Sequence, residues 1–266
     1  MGKTITVLSQ KGGTGKTTTV RTLCDAFRRV GLRVLAVDMD PQANLTDYLE
    51  VGDDPEPTLA DVLTGRVAAA AAIHSDVLAG SIHLAEAELM LGGKIGRETV
   101  LRRALHDVAP DYDVILVDCP PALGLLTVNA LVAADFAMIS TEAEYFSLQG
   151  VEQALEVVEA ARAVNPGLDW IGAVLNIADM RTVHARDAEA QLRERFGDKV
   201  FDAVIRRSVA YAESAERATS ILDHRPDLGV DYVALAEEVL ARIGREADRS
   251  RMIDLRARLA PGWPAG

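Results

Sequence analysis

The sequence predicts an α/β fold: a doubly wound, mostly parallel β-sheet with helices on both faces. Three observations lead there. Short, nearly continuous apolar runs rich in β-branched residues recur along the chain, stretches of helical periodicity separate them, and a glycine-rich turn joins the first run to the first helix. A length of 266 residues with 49 % apolar composition is enough for one sizeable core, so a single domain over residues 1–266 is expected.

The strand runs, in order, are TITVLS from Thr4, RVLAVD from Arg33, SIHLAE from Ser81, DVILVD from Asp113, DFAMIS from Asp135 and DWIGAVLN from Asp169. Helices are predicted over Lys16 to Val30, closed by Gly31, and near Arg97 to Asp107, Leu125 to Ala133, Leu148 to Val164, Val183 to Phe196 and Val230 to Ile243. VGDDPEPT, Val51 to Thr58, is acidic and proline-bearing and reads as a surface loop; the alanine-rich Gly65 to Ile73 reads as a short helix. From Gly244 onward Arg245, Arg249, Arg251, Arg256 and Arg258 make a basic terminal segment over about residues 244–266.

Composition narrows the class. No basic and apolar leader opens the chain and no apolar run reaches the ~18 residues that span a bilayer, so a cytoplasmic protein is expected. Two cysteines, Cys24 and Cys119, without a CxxC pair argue against a disulfide framework or a self-contained zinc site. A formal charge of -12 argues against indiscriminate coating of nucleic acid, although a local basic patch remains compatible with a polyanion.

The chemistry concentrates in SQKGGTGKTTTV, Ser9 to Val20. The pattern GxxxxGK[ST] asks for glycine where Gln10 stands, so this is a deviant Walker A loop. Glycines between a strand and a helix still aim backbone N–H groups and the helix N-terminus at phosphate oxygens. Lys11, Gly12, Gly13, Thr14, Gly15, Lys16, Thr17 and Thr18 are the expected nucleotide contacts, with Lys16 on the β and γ phosphates and the Thr17 hydroxyl on Mg²⁺. In YDVILVDCPP, Asp118 ends an apolar strand at its carboxyl end, a Walker B arrangement that supplies a metal carboxylate. In VDMDPQ, Asp38 and Asp40 are two apart; in extended chain they share a side, and both are expected to face the metal and the attacking water. Lys11 lies near phosphate by spacing, yet a phosphate loop needs only one lysine.

KGGTGKTT, VDMDPQANLT, YDVILVDCPP and EAEYFSLQG together resemble the ParA/MinD group of deviant Walker ATPases, most of all the ParA (Soj) partition ATPases, from Lys3 to about Ile243. The resemblance implies ATP and Mg²⁺ as cofactors and an ATP-dependent homodimer in which Lys11 reaches the partner's nucleotide. It implies that Asp40 positions or activates the water, that Thr17 and Asp118 serve Mg²⁺, with Asp40 counted in the same metal shell, and that Asn176 in VLNIAD reads adenine. Lys11, Lys16 and Asp40 are then the catalytic set. A second lysine supplied in trans adds electrostatic stabilisation that exists only in the dimer.

Three branches of that group are weighed. A nitrogenase-iron-protein type of reductase needs thiolates near the dimer axis, and neither Cys24 nor Cys119 matches those positions. A MinD-like regulator needs a terminal amphipathic helix; SRMIDLRARLAPGWPAG offers Met252, Ile253, Leu255, Leu259 and Trp263 but is interrupted by proline and glycine, and membrane docking is not expected. The partition branch implies nonspecific DNA binding, a ParB-like partner that stimulates weak hydrolysis, and association with the nucleoid. Arg181 falls where ParA proteins carry a DNA-contacting arginine, whereas a second such position is Ala210; Arg206, Arg207 and the C-terminal arginines are candidates to rebuild the patch. The first strand starts three residues in, so no N-terminal helix-turn-helix is expected. The acidic loop near Asp53 and the helix from Leu148 are candidate partner surfaces, suited to a basic partner segment.

Overall fold

The computed structural model describes residues 2–52 and 54–259. Asp53, within the acidic loop, and Trp263, in the terminal tail, lie outside the described residues. The elements in chain order are β1 (Lys3–Leu8), α1 (Lys16–Arg29), β2 (Val34–Asp38), α2 (Asn44–Tyr48), α3 (Leu59–Thr64), β3 (Ile73–His74), β4 (Val77–Leu78), α4 (His83–Gly92), α5 (Val100–Leu105), β5 (Val114–Asp118), α6 (Leu125–Ala133), β6 (Phe136–Glu142), α7 (Ser147–Arg162), β7 (Asp169–Ala178), α8 (Val183–Phe196), β8 (Val200–Arg206), α9 (Ala210–Glu216), α10 (Ile221–His224), α11 (Pro226–Arg242) and α12 (Glu246–Leu259).

One eight-stranded sheet has the order β3-β4-β2-β5-β1-β6-β7-β8, parallel throughout except for the β3–β4 pair. Alternation along β5 shows why it is doubly wound. Ile115 and Val117 pack into the layer that holds α3 to α8, whereas Val114 and Leu116 pack into the layer of α1 and α11. Both sides of the strand are buried, which is why its sequence is continuously apolar rather than alternating. β1 and β5 lie side by side at the centre, so the phosphate loop after β1 and Asp118 at the end of β5 emerge on the same sheet edge, where open α/β sheets bind ligands.

Three expectations change. SIHLAE is not a strand: it opens α4, where Leu84, Ala87 and Leu91 are buried at helical spacing. β4, a two-residue strand just upstream, takes the sheet position, and β8 was missed although VFDAVIR alternates in burial. The alanine-rich stretch reduces to one 3₁₀ turn, Ala69–Ala72. The basic terminal helix is not a free arm. α12 packs with Met252 fully buried, and Leu255 and Leu259 rest against the core layer of α1 and α11. Four of the five arginines of this segment are held in ion pairs: Arg245 with Asp113 and Asp248, Arg249 and Arg256 with Glu237, Arg251 with Asp248. Among the described residues no helix is long and apolar enough to cross a membrane.

Candidate nucleotide-binding site

The loop between β1 and α1 owes its shape to glycine. Gly13 and Gly15 have φ of 79° and 77°, where a side chain is strained, and a Cβ on Gly15 would stand 2.5 Å from the Asn176 carboxamide. Lys16, at the first turn of α1, is 6 % exposed; its Nζ donates to Ser9 Oγ at 2.9 Å and to the Lys11 carbonyl at 3.3 Å. Burial lowers its pKa, and the charges of Asp118 and Asp40 resist that shift. The Ser140 hydroxyl, on β6, donates to the Thr14 carbonyl at 2.7 Å and ties the loop to the neighbouring strand.

β2 and β5 are adjacent with Asp38 in register with Asp118, which sets two fully buried carboxylates side by side. They do different work. Asp38 Oδ2 accepts from the Thr46 N–H at 2.9 Å and the Thr46 hydroxyl at 2.8 Å, while its Oδ1 accepts from the Asp40 N–H at 3.2 Å. Burial pushes its pKa up to about 6. Asp40 lies past the strand end, and its Oδ1 accepts from the Gln42 N–H at 3.0 Å at the border of the open pocket. The expectation that both acids face metal and water therefore fails for Asp38. β2 stops there, the extended alternation stops with it, and Asp38 becomes the anchor of the turn that presents Asp40.

Asp118 is the opposite case. Both of its carboxylate oxygens are buried without a hydrogen-bond partner. Burial first, and then the charge of Asp38, raise its pKa well above the carboxylate range, against the Thr17 hydroxyl and the Lys16 ammonium. An orphaned buried carboxylate beside a threonine hydroxyl fits a bound cation. No group of three or more His, Cys, Asp or Glu among the described residues is arranged to hold a metal ion, so the protein supplies no complete cage. That donor set suits Mg²⁺, which keeps water and phosphate oxygens in most of its octahedron.

The pocket in front of these groups has a volume of about 460 Å³. Gly12, Gly13 and Gly15 to Thr18 form one end, Asp40 one wall, and Asn176, Arg206 and Arg207 the far side. The structure thus gathers the predicted phosphate and metal residues around the pocket, with two exceptions: Thr14 is buried off the pocket with its hydroxyl on Ser9 Oγ, and the Lys11 side chain points elsewhere, exposed, its Nζ 5.4 Å from the centroid of Phe146. Asn176 borders the pocket but is 2 % exposed; its Nδ2 donates to Thr19 Oγ1 at 3.0 Å and its Oδ1 accepts from the Ile177 N–H at 2.9 Å.

An AAA-domain family model matches residues 2–169. The chromosome-partitioning ATPase Soj of Thermus thermophilus is 40 % identical over 250 residues, covering 90 % of this chain and 96 % of that protein. The chain belongs to the ParA/MinD family of deviant Walker ATPases. A cobyrinic acid a,c-diamide synthase from Mycobacterium smegmatis, solved with an ATP analog and magnesium, superposes with a TM-score of 0.72 at 37 % identity, covering 81 % of this chain and 93 % of that one. The septum site-determining protein MinD of Pyrococcus horikoshii, complexed with Mg-ADP, gives a TM-score of 0.74 at 29 % identity over 91 % and 98 % of the two chains.

For a ParA/MinD ATPase the arginines are unevenly free. Arg181 is exposed and held bidentately by its neighbour Asp179, with both contacts at 2.8 Å. Arg206 pairs with Asp231 at 2.7 Å, whereas Arg207 reaches Glu144 only at 4.0 Å. Ala210 opens α9 and is 2 % exposed, so that position has no side chain to offer a polyanion. Sequence reasoning missed Ser9, Thr46 and Ser140. Small hydroxyl residues carry no motif of their own; only position beside the loop or the acids would have singled them out.

Proposed function

We propose that this ATPase is a single-domain partition motor of the ParA type: ATP and Mg²⁺ bind in the pocket, two chains close over the nucleotides, the dimer holds duplex DNA without sequence preference, and a ParB-like protein stimulates weak hydrolysis and release. The observation that carries the reading is the separation of the two lysines. Lys16 is buried at the phosphate end, while Lys11, five residues earlier on the same loop, is exposed and turned away. A lysine that cannot serve its own pocket from that position is free to serve a partner's.

Within one chain, Lys16 and the loop N–H groups hold the β and γ phosphates. Thr17 and Asp118 would hold Mg²⁺, which when bound neutralises charge on the phosphate oxygens. Asp40 orients the attacking water from the pocket wall, and Asp38 keeps Asp40 in place through its N–H. Asn176 lies at the base end; to read adenine its carboxamide exchanges the contact with Thr19. Arg207, with Arg206 and Arg181 behind their carboxylates, forms the DNA face, and such a dimer resides on the nucleoid. A MinD-like membrane role finds less support, because the apolar side chains of α12 are turned onto the core and leave Ile253 as its exposed large apolar residue among those described.

The test is ATP turnover with and without duplex DNA and the product of the adjacent gene, together with DNA binding by the ATP-loaded protein. Stimulation by these additions and salt-sensitive binding are expected. If the ATP-loaded protein ignores duplex DNA at about 50 mM salt, where phosphate contacts are strongest, the partition reading loses its central support.

A further inference from the structure

Ser9 directly follows β1 and is 2 % exposed, and its side chain is spent on the phosphate loop. Its hydroxyl donates to the Lys11 carbonyl at 2.6 Å and accepts from Thr14 Oγ1 at 2.9 Å and from Lys16 Nζ at 2.9 Å. One donor and two acceptor sites are all a serine hydroxyl has, so the group is fully used. The ammonium of Lys16 has three N–H donors; two go to Ser9 Oγ and the Lys11 carbonyl, which leaves one for a ligand. Two fixed bonds on a tetrahedral ammonium set the direction of the third.

We propose that Ser9 is the positioning residue of the phosphate loop: its hydroxyl aims the free N–H of Lys16 at the transferred phosphoryl group. The same hydroxyl, with Lys16, pins the carbonyl of Lys11 and so fixes the turn from which that lysine projects. Loop backbone alone would not achieve this, because a lysine stem has four rotatable bonds and its head, if held by the Lys11 carbonyl alone, would sweep an arc. The inference rests on the ATPase activity of the family and not on the proposed role of Lys11 in trans.

The experiment compares Ser9→Ala and Ser9→Thr with the wild type in steady-state ATP hydrolysis, in the fraction of dimer formed with an ATP analog, and in the solvent exchange of the Lys16 ammonium followed by ¹⁵N NMR of the nucleotide-free protein. Ser9→Ala should lower kcat about tenfold, as expected for one hydrogen bond to a charged donor, with KM changed less than about threefold and any fall in the dimer fraction much smaller than the fall in kcat. Its Lys16 ammonium should exchange faster. Ser9→Thr, which keeps the hydroxyl, should return both rate and exchange towards wild type. Wild-type kcat in Ser9→Ala, unchanged ammonium exchange, or a loss seen mainly in KM overturns the proposal. So does a drop in kcat that merely tracks a lower dimer fraction, since Ser9 would then act through the Lys11 turn alone. Failure of Lys11→Ala to affect dimerisation, by contrast, would remove the trans contact and leave the aiming of Lys16 standing.

Discussion

The ammonium of Lys11 rests on the face of Phe146, 5.4 Å from the ring centroid, and not among the groups that surround Lys16. Phe146 is 56 % exposed and stands edge-to-face with Tyr145, ring centroids 5.0 Å apart, so the perch is at the surface. An exposed cation–π contact is worth about 0.5–1 kcal/mol, less than a charge-assisted bond to phosphate, so the ring can hold Lys11 at rest without competing with a partner's nucleotide. Lys11→Ala should therefore bind ATP within about twofold of wild type but lose ATP-dependent dimers. Light scattering with an ATP analog decides it; a variant that dimerises and turns over normally removes the trans role.

Asp40 lies on the pocket wall beyond the end of β2, held in a turn in which its N–H donates to Asp38. If it orients the attacking water, Asp40→Ala should still bind ATP and form dimers while hydrolysis falls at least about a hundredfold, the usual contribution of a positioned acid–base group. Phosphate release under single-turnover conditions measures this. A loss smaller than about threefold would assign the water to another residue.

The Asp38 and Asp118 pair makes stability depend on pH. An unfolded aspartate titrates near its usual value, about 3.9, whereas Asp38 in the fold is raised to about 6 and Asp118 is raised in the same direction. A carboxyl with a raised folded pKa holds extra protons in the native state, so its contribution is complete below the unfolded pKa and is lost as pH rises through the folded one. For Asp38 that window runs from about 4 to about 6 and amounts to about 3 kcal/mol. Thermal melts of the nucleotide-free protein should fall between pH 4.5 and pH 6.5, and Asp38→Asn, which keeps an acceptor for Thr46, should flatten the fall. A wild-type melting temperature that is level across the window would contradict the assignment.

The parts of this architecture that were legible in the sequence are those fixed by neighbours in the chain. Leu125–Ala133 and Val183–Phe196 form helices at the residues expected, and Gly12, Gly13 and Gly15 to Thr18 line the pocket with Asp118 buried beside Thr17, because capping, glycine conformation and strand-end position are local properties. What was not legible depends on distant partners. Asp38 reads as a second metal acid until Thr46, eight residues on, takes its oxygens. Ser81 to Glu86 looks like a strand because SIHL is short and alternates polar with apolar residues; burial at helical spacing through Leu91 decides otherwise. The C-terminal arginines read as a basic patch until Glu237 and Asp113 pair with them.

Pairing with carboxylates also ranks the arginines proposed for DNA. A phosphate that takes Arg181 must displace the two bonds from Asp179, and one that takes Arg206 must displace Asp231; Arg207, with a single 4.0 Å contact to Glu144, gives up least. All three are on or near the surface, so their ion pairs are screened by salt and the ranking follows geometry more than the strength of any one pair. Arg207→Ala should thus weaken duplex binding more than Arg181→Ala and reduce the slope of log affinity against log salt by about one per arginine that loses a phosphate. Removing the competing carboxylate has the reverse sign: Asp179→Ala should tighten binding through Arg181. Anisotropy titrations of a labelled duplex with the ATP-loaded protein, from about 50 to about 200 mM salt, separate these outcomes. Equal slopes for wild type, Arg207→Ala and Asp179→Ala would place the DNA face on another part of the surface.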